Sequence, residues 1–240
     1  MDGGEAVTSA DGIQVWGIGV GPGDPELLTL KGLRLIRAAE VIAYPAPEQG
    51  ESFARSIVAS HLSGGQREIA IRMALGDGSF PKADIYDAAA TQILDEVASG
   101  RRVAVLCEGD PFFYGSFIYL YERLAERCPV AVVPGVSSLM ACAGVAEMPL
   151  ALRNQSLAVV PGPLPEAELR RRLGQCEAAA IVKVGRHLSK IRKVLEELGL
   201  ADRACYVERA SLAAQRVMPL GEAGPGEAPY FSMILVRGRA

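Results

Sequence analysis

Apolar residues along this chain fall into two patterns, and their alternation predicts the fold. Short uninterrupted runs such as Val103-Ala-Val-Leu106 have the pattern of strands buried on both faces. Longer stretches repeat apolar residues every three or four positions, as Leu27, Leu30, Leu33 and Ile36 do, and predict amphipathic helices. The first half reads as strands at 13–18, 41–44 and 103–106, with a weakly alternating strand at 68–73. Between and after them lie helices from Asp24-Pro25-Glu26 to near Ala39, at 52–62, at 83–99 before Gly100, and at 116–127. In the first of these helices Asp24 reads as the N-cap and Pro25 as the first helical position. Residues 75–82, rich in Gly and Pro, read as a loop. This βαβα order predicts a parallel sheet with right-handed crossovers. Beyond Pro129 another unit begins with a short strand at 130–133, and a helix runs through Ala146, capped by Ser137 or Ser138. Strands follow at 157–160, 178–184, 204–207, 216–220 and 231–236, with a helix at 189–198 that turns Ile191, Val194, Leu195 and Leu198 inward. Glu208-Arg-Ala-Ser211 reads as a polar turn and 221–229 as a mobile loop. Strands that close on one another predict a mixed sheet. The expected architecture is two α/β domains, 13–127 and 128–240, after a disordered leader at 1–12. The first carries a mostly parallel sheet and the second a mixed sheet, and with no long linker between them the two are expected to pack closely and form a cleft.

Two glycine-rich loops hold the candidate chemistry. Gly17-Ile-Gly-Val-Gly-Pro-Gly-Asp-Pro25 follows the first strand, where a dinucleotide fingerprint would stand. The third glycine of that fingerprint falls on Pro22 counting from Gly17 and on Asp24 counting from Gly19. Proline has no N–H for a pyrophosphate, and an aspartate at the helix start repels one, so nicotinamide binding is disfavoured. Glu108-Gly-Asp-Pro111 breaks the chain sharply at the carboxyl end of a buried strand, the place where open α/β sheets bind ligands. Pro134-Gly-Val-Ser-Ser138 forms a third turn.

Composition narrows the partners. Half of the 240 residues are hydrophobic, enough for a large core, and the formal charge of −3 argues against a broad nucleic-acid or anionic-membrane face. No apolar run approaches the ~20 residues of a membrane-spanning helix, and residues 1–12 lack the pattern of a signal peptide. The expected location is the cytoplasm. Cys107, Cys128, Cys142, Cys176 and Cys205 are odd in number and widely spaced, which fits reduced thiols. Neither His61 nor His187 belongs to a metal-ligand motif, and no GxSxG elbow exists, so no metal and no serine-hydrolase chemistry is expected.

Taken together, four segments resemble the tetrapyrrole methylases, a two-domain α/β family that transfers methyl groups from S-adenosylmethionine in corrin and sirohaem synthesis. They are Gly17 to Pro25, Glu108 to Pro111 with Tyr114-Gly115, Val133 to Ser138, and Tyr206 to Ser211 with Gln215-Arg216. Each is weak alone; their order and spacing span nearly the whole chain. Phe112-Phe-Tyr-Gly-Ser-Phe117, Lys183-Val-Gly-Arg-His187 and Tyr230-Phe-Ser-Met233 resemble more narrowly the subfamily that methylates precorrin-2 at C20 to give precorrin-3A, or its cobalt-bearing equivalent in the oxygen-independent route. The resemblance implies a cofactor site in the cleft between the two domains, with contacts from Pro22, from Glu108, Gly109 and Asp110 around the methionine part, and from Phe113. It also implies contacts from Ser137, Ser138, Val184, Ala210, Phe231 and Ser232. Relatives often carry glycine where Glu108 and Ala210 stand; the first change adds a carboxylate and the second reduces backbone freedom. A homodimer is also implied, and Phe112-Phe113 is a candidate apolar contact.

The chemistry suits these residues. A sulfonium is already a strong electrophile, so the protein mainly aligns donor and acceptor, an effect of roughly 7–11 kcal/mol. Asp110 and Glu108 are the catalytic candidates for accepting the proton that the methylated macrocycle releases. Asp110 has a competing role as a loop residue that accepts backbone N–H groups. The substrate's acetate and propionate arms call for cations, and Arg153, Lys183, Arg186 and His187 stand at loop or strand-end positions, with Arg67 and Arg72 flanking the weak strand. Competing readings are methylation of another ring carbon or of a protein or RNA target, a nicotinamide oxidoreductase, and a binding protein without turnover.

Overall fold

The computed structural model describes residues 12–73 and 83–238. The loop expected at 75–82 and all but Gly12 of the expected leader lie outside them. Two compact units divide the chain. The first comprises the residues up to Gly21 with Pro25–Val136, and the second comprises Pro22–Asp24 with the residues from Ser137 onward. The boundary expected at 127/128 differs from this division, because the strand at Val130–Val133 hydrogen-bonds beside Val15–Gly19 in the first unit.

In the first unit β1 (Val15–Gly19), β2 (Val41–Pro47), β3 (Arg67–Met73), β4 (Val103–Cys107) and β5 (Val130–Val133) form one all-parallel sheet in the order β3-β2-β4-β1-β5. Alternate residues serve opposite faces. Trp16, Ile18, Ile42 and Leu106 pack with α1 (Leu30–Ala38) and α2 (Phe53–Val58), while Val15, Val41, Val103 and Val105 pack with α3 (Ala83–Ala98) and α4 (Phe117–Leu124). The neighbours β1 and β4 therefore lead into helices on opposite faces of the sheet. That arrangement is a topological switch point, and it opens a crevice beyond their carboxyl ends.

One expected element starts elsewhere. Pro25–Leu27 forms only a single 3-10 turn, and α1 begins at Leu30. Its N-cap is Thr29, whose hydroxyl accepts the Gly32 N–H at 3.1 Å, whereas the Asp24 N–H donates to Ser211 Oγ at 3.2 Å. Leu30, expected on the buried face, is 86% exposed, and the buried positions are Gly32, Leu35 and Ile36.

In the second unit β6 (Leu157–Pro161), β7 (Ala178–Val182), β8 (Ala204–Glu208), β9 (Arg216–Pro219) and β10 (Ser232–Val236) run in the order β6-β7-β10-β8-β9. Only β6 and β7 are parallel, so the sheet is mixed, as the clustering of strands predicts. α5 (Ser138–Val145) opens this unit, and α6 (Glu166–Gly174) and α7 (Leu188–Glu197) supply helices to its core. The sequence pattern does not reveal α6, because it buries only Leu169 and Leu173 and its other side chains are mostly charged. Those charges pair along its surface, Arg171 and Arg172 with Glu168, and Arg170 with Glu166 and Glu197. No helix among the described residues is long and apolar enough to cross a membrane.

Candidate functional site

Three loops meet backbone to backbone at the crevice of the first unit. The Val20 N–H donates to the Cys107 carbonyl at 2.9 Å, and Gly21 and Gly109 exchange both of their backbone hydrogen bonds, at 2.8 and 3.3 Å. Gly109 sits at φ 64, a left-handed conformation that suits glycine. A Cβ on Gly19 would stand 2.5 Å from the Gly109 carbonyl oxygen, and one on Gly135 only 2.1 Å from the same atom. The loops after β1, β4 and β5 can approach this closely only as glycines.

Asp110 ties this junction together. Its Oδ1 accepts the Phe112 N–H at 2.9 Å and its Oδ2 accepts the Gly135 N–H at 3.1 Å, so both carboxylate oxygens hold loop backbone. Glu108 differs. Its half-buried carboxyl accepts the Ala54 N–H at the start of α2, and burial pushes it from 4.5 up to about 7. Ser52 fixes that helix start by donating to the Pro45 carbonyl at 2.6 Å and accepting the Arg55 N–H at 3.2 Å. A carboxyl that titrates near neutrality can take up a proton at working pH. The neighbouring Cys107 thiol is pushed by burial up to about 12 and offers no nucleophile. Phe113 is partly buried and meets Tyr114 edge-on at 5.1 Å, while Phe112 is 49% exposed.

The other expected cofactor contacts belong to the second unit. Ser137 caps α5, accepting the Met140 N–H at 3.5 Å, and Ser138 is exposed as its first residue. Val184 turns its side chain wholly into the core, which leaves only its backbone for a ligand. Ala210 is buried in the turn after β8. On the neighbouring β10 segment the Phe231 carbonyl accepts the Arg209 N–H at 2.8 Å and Ser232 Oγ donates to the Pro229 carbonyl at 2.7 Å.

The expected substrate cations are unequal. Arg153, Lys183 and Arg186 are exposed, the first two at φ 50 and 56. His187 is held below its ordinary 6.5 by burial and then by Lys190 and Arg186, so it is a neutral hydrogen-bonding group at neutral pH. Arg67 pairs with Glu96 at 3.2 Å, and Arg72 donates to the Pro47 carbonyl at 2.9 Å, so both serve the scaffold. Sequence reasoning missed Glu208 and the second role of Ser211. Glu208, expected in a polar turn, is instead the buried last residue of β8, and Ser211 receives the Asp24 N–H.

The family model for Tetrapyrrole (Corrin/Porphyrin) Methylases matches residues 14–224. The chain belongs to the tetrapyrrole methylases. This tetrapyrrole methylase is 43% identical to a precorrin-2 C(20)-methyltransferase of Sinorhizobium sp, over 92% of the chain and 94% of that protein. It is 32% identical to the cobalt-precorrin-2 C(20)-methyltransferase of Salmonella typhimurium, over 93% and 95% of the two chains. The uroporphyrin-III C-methyltransferase of Thermus thermophilus, solved as a complex with S-adenosylhomocysteine, superposes with a TM-score of 0.68 at 27% identity, covering 93% of this chain and 92% of that one.

Proposed function

We propose that the chain transfers a methyl group from S-adenosylmethionine to C20 of precorrin-2 in cobalamin biosynthesis, giving precorrin-3A and S-adenosylhomocysteine. The observation that carries this reading is the 43% identity to a precorrin-2 C(20)-methyltransferase along almost the full length of both chains. The crevice fits the cofactor in charge. Its loop carries two carboxyl groups, Glu108 and Asp110, which suit a cation better than a pyrophosphate. When bound, S-adenosylmethionine supplies an electrophilic methyl group on a positively charged sulfur.

The residues of this chain then have separate tasks. Glu108, Gly109, Asp110 and Phe113 bind the methionine end; Pro22, Ser137, Ser138, the Val184 backbone, Ala210, Phe231 and Ser232 bind the remainder. Asp110, with both oxygens engaged by loop amides, keeps the loop in shape. Glu108, poised near neutrality, accepts the proton that the methylated macrocycle releases. Arg153, Lys183 and Arg186 pair with the carboxylate arms of the substrate, and His187 adds a neutral hydrogen bond. The working form is a symmetric cytoplasmic homodimer, supported by the exposure of Phe112 and the prevalence of two-fold assemblies.

The Salmonella relative supports a second substrate, cobalt-precorrin-2. One assay decides between them. Each macrocycle is mixed with the protein and carbon-13-labelled S-adenosylmethionine, adenosylhomocysteine release is followed, and the methylated carbon is located by mass and carbon-13 spectra. Label at C20 of the cobalt-free ring supports the reading. Label at another carbon, or turnover of the cobalt form alone, overturns it.

A further inference from the structure

Among the described residues Glu208 is the single charged side chain in the core, 6% exposed at the end of β8. A buried carboxylate persists only where partners replace its water. Tyr206, itself buried, donates its hydroxyl to Glu208 Oε1 at 2.8 Å. Burial and then this bond push the phenol up, so it remains a donor, and Ser232 of β10 hydrogen-bonds the same tyrosine. Arg216 on β9 reaches Oε2 at 3.4 Å and Arg209 reaches it at 3.6 Å. One carboxylate therefore gathers side chains from β8, from β9 and from the turn that follows β8, and β10 joins them only through the bond of Ser232 to Tyr206.

That turn is strained. Arg209 and Ser211 lie at φ 46 and 67, left-handed conformations that non-glycine residues hold only when their surroundings impose them. Gln215 Oε1 accepts the Ser211 N–H at 2.8 Å, and the Phe231 carbonyl accepts the Arg209 N–H at 2.8 Å. The turn in turn seats the loop Pro22–Asp24. Ser211 Oγ accepts the Asp24 N–H at 3.2 Å, and Leu212 packs so closely on Gly23 that a Cβ there would stand 2.4 Å from its Cδ2.

We propose that Glu208 is a positioning residue for the methyl transfer: its carboxylate holds the Arg209–Ser211 turn left-handed, and through Ser211 it sets the Pro22–Asp24 loop. It acts on Ala210 and Pro22, and this role rests on their assignment as cofactor contacts.

The test is Glu208→Gln. The amide keeps the size of the side chain and one acceptor for Tyr206, but it turns an NH2 toward the two arginines. Hydrogen exchange of the ligand-free protein is expected to accelerate at the Asp24 and Ser211 amides by about tenfold, the scale of one lost charge-assisted hydrogen bond, while β4 and β7 stay protected. Calorimetric affinity for S-adenosylmethionine falls by a similar factor, and single-turnover methyl transfer at saturation stays within about threefold. Ser211→Ala weakens binding too, and the double variant is no weaker than the stronger single one, because both changes act through one loop. If Glu208→Gln does not fold, Arg216→Gln, at an exposed arginine, carries the same measurements. Unchanged exchange at Asp24, or strictly additive losses, overturns the proposal. A wild-type chain that binds no S-adenosylmethionine overturns the functional reading instead, and the exchange data then decide the role of Glu208 alone.

Discussion

Replacing Asp110 with asparagine separates loop positioning from proton transfer. In the structure each carboxylate oxygen accepts one backbone N–H, from Phe112 at 2.9 Å and from Gly135 at 3.1 Å. Asparagine keeps one of these acceptors and sets an NH2 against the other amide. Leaving a buried donor unpaired costs about 1–3 kcal/mol, and both sites are partly exposed, so water brings the loss to about 1–1.5 kcal/mol. For a chain of this size that lowers the melting temperature by about 2–6 °C. Because the loops after β4 and β5 lose a tie, calorimetric affinity for S-adenosylmethionine falls by up to about tenfold. Single-turnover methyl transfer at saturation, read by rapid quench and adenosylhomocysteine release, stays within about threefold of the parent. A general base at this position would instead cost roughly 10²–10⁴-fold. Proton loss follows methyl transfer, so product absorbance must be recorded beside the quench. A large drop in either single-turnover signal with unchanged affinity and melting temperature refutes the positioning role.

Gly135→Ala drives a Cβ to 2.1 Å from the Gly109 carbonyl, backbone that has no room to yield, and should destabilise by at least the ~1–3 kcal/mol of ordinary overpacking. Gly144→Ala, in α5 with nothing within 4 Å, should stabilise by about 0.4–1 kcal/mol, and equal urea midpoints for the two variants would sink the loop-contact argument. Burial raises Glu108 from 4.5 to about 7, so between those values the folded chain keeps a proton that the unfolded chain has released, and stability falls as pH rises. Glu108→Gln should therefore gain more stability over the parent at pH 8 than at pH 5; identical differences at both would count against the shift. Binding of S-adenosylmethionine should survive a chelator unchanged, and loss of the calorimetric signal on metal removal would contradict the charge-only account of the crevice.

Much of this protein is local and therefore readable along the chain. A strand buried on both faces must be apolar at every position, as Val103 to Leu106 are, and an amphipathic helix must repeat with its turn, as Ile191, Val194 and Leu195 do. These rules need only near neighbours, and from them follow the parallel first sheet, the mixed second sheet and the failure of the dinucleotide fingerprint at Pro22 and Asp24. The position of the Glu108–Asp110 loop beyond a buried strand follows as well. What tertiary structure alone decided depends on partners far away along the chain. Asp24 reads along the chain as the cap of the first helix, yet α1 begins at Leu30 behind Thr29, and the Asp24 amide is bound by Ser211, 187 positions distant. Val130–Val133 joins the first sheet because β1 offers it a free edge, which no local pattern encodes. α6 hides because two leucines suffice to anchor it while its charges face water and one another. Glu208 reads as a turn residue until Tyr206, Arg209 and Arg216 converge to replace its solvent. Gly19, Gly109 and Gly135 show in sequence only that their loops can bend; that the three backbones meet, and that Asp110 ties them, is a property of the folded sheet, where strands β1, β4 and β5 lie side by side.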